Sequence, residues 1–272
     1  MRVSALHPDV LVATSAVWQT TCTLVRGGEG TQRPSGAGTG ATTEGFVVDS
    51  PVLPAELESL AALAAQAGFP VSGLLATHAD WDHLLGRLAF PDAALGCAET
   101  TAARLTARPG EAQRALRAFD EGWYVERERP LALGSVQALP VPGRLDVGDR
   151  ELELHPADGH TQDGMAVWVP WARVLVAGDY LSPVEIPMLS QTGSASGYLA
   201  TLARLEPLVE RAEHVVPGHG APIDGTRAAA ILREDRAYVE ALVERGADAK
   251  LPLARRSGAQ RKVHAANAGR VA

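Results

Sequence analysis

The order of β-prone and helical segments predicts an α+β fold: a four-layer αββα sandwich in which two mixed sheets pack face to face with helices outside. Short runs rich in Val and Thr occupy residues 10–13, 20–26 and 45–49, and further β-prone runs fill residues 148–176. Segments with helical spacing follow each group. Because each sheet then has one face for the other sheet and one face for helices, the repeated order predicts this layered arrangement.

The first group of strands leads to a polar cluster. A predicted helix begins at Pro54, which suits a first helical turn, and ends at Gly68. The apolar run at residues 71–77 predicts a buried strand, which continues directly into His-Ala-Asp-Trp-Asp-His at residues 78–83. Before the helix, the Gly-, Thr- and Ser-rich residues 27–45 predict a long mobile hairpin connection.

Helical spacing returns twice later in the chain. Residues 99–119 predict helix with a break at residues 109–110, where Pro and Gly adjoin. Leucines at helical spacing predict a second helix over residues 196–212. A short strand at residues 214–216 and a long helix over residues 226–245 complete the predicted elements.

We predict one domain over residues 1–250, because no internal repeat appears and no linker separates two cores. Residues 251–272 contain basic charges and small residues but no acidic ones. This composition predicts a basic C-terminal tail that is solvated or partly disordered.

Composition narrows the class of protein. The 272 residues are 46% hydrophobic, as in an ordinary globular core, and the net charge of -7 provides no basic field for phosphates. We therefore expect a small-molecule substrate and no nucleic-acid partner, and leave a homo-oligomer open. No apolar run is long enough to cross a membrane.

The N-terminus and the cysteines indicate the compartment. His7, Pro8 and Asp9 interrupt the apolar run that a secretory signal would need. The two cysteines, Cys22 and Cys97, have no close spacing and are expected to be small buried residues. These features predict a cytoplasmic protein.

Four segments place histidine or aspartate directly after apolar strands. They are residues 78–83, His160, Asp179 and His219, and they contain four of the eight histidines. Any one of these histidines alone would be interpreted as a structural, hydrogen-bonded side chain, and aspartate after a strand is common in turns. Together they predict a metal site, because strand ends on a rigid sheet can hold imidazole and carboxylate groups convergent.

The first segment favours two ions over one. Asp82 and His83 are adjacent, so their side chains must point in different directions. Two ions about 3.5–4 Å apart can share a bridging carboxylate and clamp the oxygen under attack. We therefore predict a dinuclear site.

The complete set resembles the metal-binding motifs of the metallo-β-lactamase superfamily of αββα metallohydrolases: His78, Asp80, Asp82, His83, His160, Asp179 and His219. The resemblance runs from residue 20 to residue 223 and implies that fold. It is specific for the family but not for a substrate, because the fold serves several chemistries.

The resemblance also implies how the ligands divide: His78, Asp80 and His160 for the first ion, Asp82, His83 and His219 for the second, and Asp179 as the bridge. The commonest first motif of the family has histidine where this chain has Asp80. A carboxylate occurs there as glutamate in the diiron flavoproteins. Asp80 is therefore the one expected ligand that departs from the usual pattern.

The implied activity is hydrolysis of an ester, thioester or related small-molecule bond, with metal-bound hydroxide as the nucleophile. We assign Asp82 a catalytic role as well as ligation. Two divalent ions are expected, zinc first, with manganese or iron as alternatives because the ligands are rich in oxygen. A diiron redox enzyme, suggested by the carboxylate at position 80, and a non-catalytic metal-binding scaffold are the alternatives.

Overall fold

The computed structural model describes residues 1–29 and 43–271, which form two mixed β-sheets packed face to face. Within those residues the first sheet has seven strands in chain order: β1 (Arg2–His7), β2 (Val10–Thr14), β3 (Thr21–Glu29), β4 (Thr43–Asp49), β5 (Gly73–Ala76), β6 (Ala94–Ala98) and β7 (Val136–Leu139). Strands β1 to β4 pair antiparallel, and β4 to β7 pair parallel.

The second sheet, counted over the same described residues, has six strands in reverse chain order: β8 (Gly143–Val147), β9 (Arg150–Pro156), β10 (Met165–Val169), β11 (Val174–Gly178), β12 (His214–Pro217) and β13 (Ile223–Asp224). Its pairs are antiparallel except β11 with β12, which is parallel. Both sheets are therefore mixed, as predicted.

Helices cover the outer faces: α1 (Pro54–Gln66), α2 (Gly86–Ala89), α3 (Glu99–Ala107), α4 (Glu111–Trp123), α5 (Ala195–Arg211), α6 (Gly225–Arg245) and α7 (Gly258–Val271). Side chains of α1 and α4 pack on the first sheet, and those of α5 and α6 pack on the second. The predicted break between α3 and α4 is confirmed, since Gly110 has a φ of +75° that ordinary residues rarely adopt. The predicted αββα sandwich is confirmed.

The central core lies between the sheets, and β11 shows how the sequence produces it. Val174 and Val176 point into the layer shared with the first sheet, whereas Leu175 and Ala177 point toward the outer helices. All four are buried. Because side chains alternate across a strand, a continuous apolar run buries both faces, and each face meets a different layer.

The C-terminal segment differs from the predicted solvated tail. Residues 258–271 form α7, and the preceding Arg255 is fully buried against Asp235. The Asn267 side chain accepts a hydrogen bond from the Leu189 backbone and donates one to the Pro187 carbonyl. Polar side chains with such partners can be buried, and composition alone does not reveal those partners.

Three smaller points concern the remaining predictions. The hairpin predicted over residues 27–45 is partly strand, since β3 and β4 extend into it, and residues 30–42 lie outside the described part. Cys22 and Cys97 are both buried, as expected. Across residues 1–29 and 43–271, the helices are too short or too polar to cross a membrane.

Candidate metal centre

Both sheets contribute to one cluster at their adjoining edges. His78 lies two residues after the end of β5, Asp179 directly follows β11, and His219 lies two residues after the end of β12. The Thr21 amide donates to the Gly218 carbonyl at 2.8 Å, which ties the first sheet to the second beside these side chains. The site is therefore built on rigid strand ends from both layers.

The first half of the cluster consists of His78, Asp80, His160 and Asp179. The Nε2 atoms of His78 and His160 lie 3.6 and 3.5 Å from Oδ2 of Asp80. The same two nitrogens lie 3.8 and 3.3 Å from Oδ2 of Asp179. His78, His160 and Asp179 thus face one point, and Oδ2 of Asp80 approaches the same two imidazoles.

The second half consists of Asp82, His83 and His219, and both of its histidines also contact Asp179. The Nε2 atoms of His83 and His219 lie 3.7 and 3.5 Å from Oδ2 of Asp82. His83 Nε2 is 3.2 Å from Oδ1 of Asp179, and His219 Nε2 is 3.5 Å from its Oδ2. Asp179 therefore contacts all four histidines, which is the position expected of a bridging carboxylate.

Each imidazole is oriented through its other nitrogen, Nδ1. His160 Nδ1 lies 2.8 Å from the Met188 carbonyl, and His219 Nδ1 lies 3.3 Å from the Trp18 carbonyl. A carbonyl can only accept, so Nδ1 carries the proton in both rings. This tautomer leaves Nε2 free for a metal, which is how protein partners usually orient histidine ligands.

The other two imidazoles are oriented through Asp49. His83 Nδ1 lies 3.0 Å from Oδ2 of Asp49, an ion-pair contact without hydrogen-bond geometry. His78 Nδ1 lies 3.1 Å from the Thr77 hydroxyl, which itself donates to Asp49 at 2.9 Å and so must accept from the ring. Asp49 ends β4 with a left-handed φ of 58°, a conformation that aspartate tolerates better than most residues.

The donor atoms fit divalent ions. The Nε2 atoms of His78, His83 and His160 and Oδ1 of Asp179 are buried and have no hydrogen-bond partner in the described part of the chain. Two donors on one tetrahedral ion lie about 3.3 Å apart, and the separations between imidazole nitrogen and carboxylate oxygen here are 3.2 to 3.8 Å. The histidine and aspartate groups could therefore hold a metal.

Close backbone packing positions the Asp179 carboxylate. A Cβ atom at Gly218 would lie 2.0 Å from Oδ1 of Asp179. No side chain fits there without moving the carboxylate, so glycine is required between β12 and His219. The glycine before His219 thus has a steric purpose.

Charges in the cluster shift the proton equilibria of its members. Burial by itself would raise the pKa of Asp179, but the imidazoles of His219, His83 and His78 outweigh burial and hold it well below its ordinary value. Burial would lower the pKa of His160, but the Asp80 and Asp179 carboxylates raise it to about 9. Burial would likewise lower the pKa of His219, but Asp179, with Glu185 and Asp82, raises it to about 10. In the metal-free chain at neutral pH, the imidazoles of His160 and His219 are therefore protonated on both nitrogens.

We expect metal uptake to displace these protons. At pH ~7, loading the metal-free chain should release protons from His160 and His219, and the number released should fall as pH rises toward their pKa values of about 9 and about 10. Because these pKa values are raised, the ion pairs stabilise the metal-free fold below the ordinary histidine pKa and lose that effect as pH rises through the folded values.

Calorimetric titration with zinc in buffers of different ionisation enthalpy measures the released protons. His214→Ala is the matched control, because His214 begins the strand that leads to His219 and lies outside the cluster. Release that is independent of pH, or heat that is independent of the buffer, would contradict this assignment.

A cavity of about 450 Å³ opens on the cluster. Much of its wall is apolar, including Trp18, Trp81, Ala112, Ala115, Met188 and Val263. Trp81 also packs edge-on against Trp18 and tilted against Phe119, with ring centroids 5.7 and 4.8 Å apart, so it both packs and forms the wall. The cavity gives a small molecule access to the candidate ligands.

Sequence reasoning missed the residues that support the cluster. Asp49 ends a predicted strand as the candidate ligands do, so the same rule could have found it. Asp163 is fully buried and Arg104 nearly so, and neither had a signal in the sequence. Tyr180, directly after Asp179, accepts a hydrogen bond from the His160 amide at 2.9 Å. These contacts join distant segments, which is why local patterns did not show them.

Comparison with known proteins identifies the family. A sequence model described as the metallo-β-lactamase superfamily matches residues 42–219, more than half of the chain. The chain belongs to the metallo-β-lactamase superfamily. The matched range includes every predicted ligand, from His78 to His219, and so confirms the resemblance inferred from the motifs.

One known protein is similar to about half of this chain. The acyl-coenzyme A thioesterase MBLAC2 of Bos taurus is 27% identical over 152 residues, which are 53% of this chain and 54% of that protein. The match thus spans about half the length of this relative.

Two solved structures share the fold. A metallo-β-lactamase family protein from Thermus thermophilus has a TM-score of 0.66 and 22% identity, covering 88% of this chain and 82% of that one. The inverting sec-alkylsulfatase Pisa1 from Pseudomonas sp. has a TM-score of 0.69 and 16% identity, covering 99% of this chain and 49% of that one. At these identities the likeness shows the fold alone.

Proposed function

We propose that this protein is a hydrolase that uses two divalent metal ions, zinc in the first instance, to cleave an ester or thioester bond of a small molecule. The observation that supports this most is the position of Asp179. Its two carboxylate oxygens lie within 3.8 Å of Nε2 atoms from four histidines on both sheets. A carboxylate shared in this way is expected where two adjacent cations must be held.

The proposed roles of the side chains follow from their places in the cluster. His78, Asp80 and His160 would hold the first ion with Asp179, and Asp82, His83 and His219 the second. When bound, the two ions would lower the pKa of water in the site and polarise the substrate carbonyl.

Asp82 has a second proposed role. Its Oδ2 lies between Nε2 of His83 and Nε2 of His219, where it would hold the second ion, and Asp82 belongs to the cavity lining. We assign the other oxygen, Oδ1, to orient the attacking water and to accept its proton, so that ligation and proton transfer would use different oxygens of one carboxylate.

The cavity favours an uncharged, apolar acyl group. Among the described residues that line it, Arg104 is the one arginine or lysine, and its guanidinium is already paired with Asp80, Glu111 and Asp163. No arginine or lysine side chain among the described residues of that lining is free to bind a substrate carboxylate. The tryptophans and alanines of the wall instead offer apolar contact, which stabilises an alkyl or aryl group.

A thioester is included because one relative is named as an acyl-coenzyme A thioesterase. The polar carrier of such a substrate would remain outside the cavity, with the acyl group inside. This arrangement agrees with an apolar wall near the candidate ions and with the absence of a free arginine or lysine among the described lining residues.

Reconstitution tests the proposal. Protein stripped with a chelator is expected to lose hydrolysis of nitrophenyl esters and acyl thioesters and to regain it on binding two zinc ions per chain. A neutral ester should be preferred over a carboxylate-bearing ester of equal length by at least tenfold in kcat/KM, about 1.4 kcal/mol.

Three outcomes would contradict the proposal. The first is a reconstituted protein with two ions and no turnover on this panel, which indicates a scaffold. The second is a protein that binds iron, absorbs visible light and hydrolyses none of these esters or thioesters, which indicates a redox centre. The third is turnover that is unchanged after metal removal.

A further inference from the structure

Arg104 projects from α3 to the first half of the cluster. Its side chain is 9% exposed, and its guanidinium contacts three carboxylates. Nη2 lies 2.8 Å from Oδ1 of Asp80 and 3.1 Å from Glu111, and Nη1 lies 2.9 Å from Asp163. An arginine so placed has its donors committed, so it acts on its neighbours and not on a substrate anion.

The contact with Asp80 distinguishes the two oxygens of that carboxylate. Oδ1 accepts from Arg104, whereas Oδ2 lies 3.6 and 3.5 Å from Nε2 of His78 and His160. The arginine therefore determines which oxygen faces the candidate metal position. Without it, an aspartate that is 26% exposed could rotate either oxygen toward solvent.

Asp163 in turn holds the arginine in place. It is fully buried, pairs with Nη1 through Oδ1, and accepts the Ala79 amide at 3.0 Å through Oδ2. Ala79 directly precedes Asp80, so one buried carboxylate fixes both the guanidinium and the backbone beside Asp80. This rigid support is what an oriented ligand needs.

Charge is the second part of the contact. A carboxylate at position 80 adds a negative charge that a neutral imidazole would not add, and the guanidinium 2.8 Å away offsets part of that charge, since it is shared with Glu111 and Asp163. We propose that Arg104 is a positioning residue that presents Oδ2 of Asp80 to the first ion. This inference rests on the dinuclear site proposed above.

Arg104→Lys is the sharpest test, because it keeps the charge and loses the forked geometry. We expect affinity for one ion to fall by about 10- to 100-fold, the usual effect of removing a group that orients a ligand, while the other ion binds as in the parent. Competitive chelator titration with zinc measures both affinities, and the cobalt-substituted spectrum reports the altered site. Arg108→Lys is the matched control, just beyond the end of the same helix.

A double-mutant cycle separates positioning from a general structural role. In an Asp80→His background the arginine has no ligand to orient, so Arg104→Lys should change metal affinity by less than about twofold. An equal loss in both backgrounds would show that Arg104 supports the fold generally and would overturn the inference.

Asp80→Asn provides a test that leaves Arg104 unchanged. The guanidinium should take the amide oxygen and turn the NH₂ group, which cannot ligate, toward the ion. Asp80→Asn should therefore bind the first ion as weakly as Asp80→Ala, and clearly tighter binding by Asp80→Asn would contradict the inference. If the parent binds two ions and Arg104→Lys binds them with the same affinities, this inference alone is overturned. If the parent binds no ion, the proposed function is overturned as well.

Discussion

Asp179→Ala is expected to abolish hydrolysis and to prevent stable binding of both ions. Its carboxylate lies 3.2 to 3.8 Å from Nε2 of all four cluster histidines, so its loss removes a donor from each half of the site. We expect kcat/KM to fall by at least 10³-fold, about 4 kcal/mol of transition-state stabilisation. Elemental analysis after reconstitution, together with ester turnover, measures both effects.

Two variants are compared with Asp179→Ala: His219→Ala, from the same cluster, and His214→Ala, from the same sheet. His219→Ala removes a candidate ligand from the second half only, so it should retain one ion better than Asp179→Ala does. His214→Ala, outside the cluster, should bind two ions and turn over normally. If Asp179→Ala retained two tightly bound ions, Asp179 would not be the bridge.

Arg255→Met is expected to destabilise the fold strongly. The fully buried guanidinium pairs with Asp235 and donates to the Ser182 and Glu185 carbonyls. Its removal leaves a buried carboxylate and two carbonyls without their partner, which costs about 3–5 kcal/mol. That is a large share of a typical stability of about 5–15 kcal/mol, and the midpoint of thermal unfolding should fall by on the order of 10 °C.

Activity should fall with stability in Arg255→Met, because residues 182 to 185 follow Asp179 and Glu185 lines the cavity. Arg256→Met is the control, because the Arg256 side chain is next in sequence, is exposed and donates to the Leu251 carbonyl. Denaturant unfolding of both variants gives the comparison. A loss below about 1 kcal/mol in Arg255→Met, similar to that in Arg256→Met, would show that the C-terminal segment is not anchored by this residue.

The elements that sequence reasoning predicted best are those buried on defined faces. α5 spans Ala195–Arg211 against a prediction of residues 196–212, and α6 spans Gly225–Arg245 against residues 226–245. In both, apolar side chains at helical spacing face a sheet. Burial of one face imposes a periodicity, and periodicity is a local property that a sequence displays.

The strands that were not predicted lie mainly at the sheet edges. β1, β7, β8 and β13 each have one neighbour, and their side chains range mostly from half-buried to exposed. An edge strand is stabilised by hydrogen bonds to its neighbour as well as by any apolar face, so a short one can lack a clear pattern. The exception is β8, where Leu145 and Val147 alternate with Arg144 and Asp146 and pack in the central core, so its alternation was overlooked.

The residues of the candidate site also divide into those that the sequence predicted and those that only the structure showed. The sequence by itself determined the layered fold and the seven clustered side chains, because buried strands are apolar and the residues that end them are polar. The tertiary structure alone decided which oxygen of Asp80 faces the cluster, that Asp49 and Asp163 support it, and that Arg255 anchors the C-terminal segment beneath the cavity. Those contacts join residues far apart in the chain, and only the packing of the completed layers brings them within hydrogen-bonding distance.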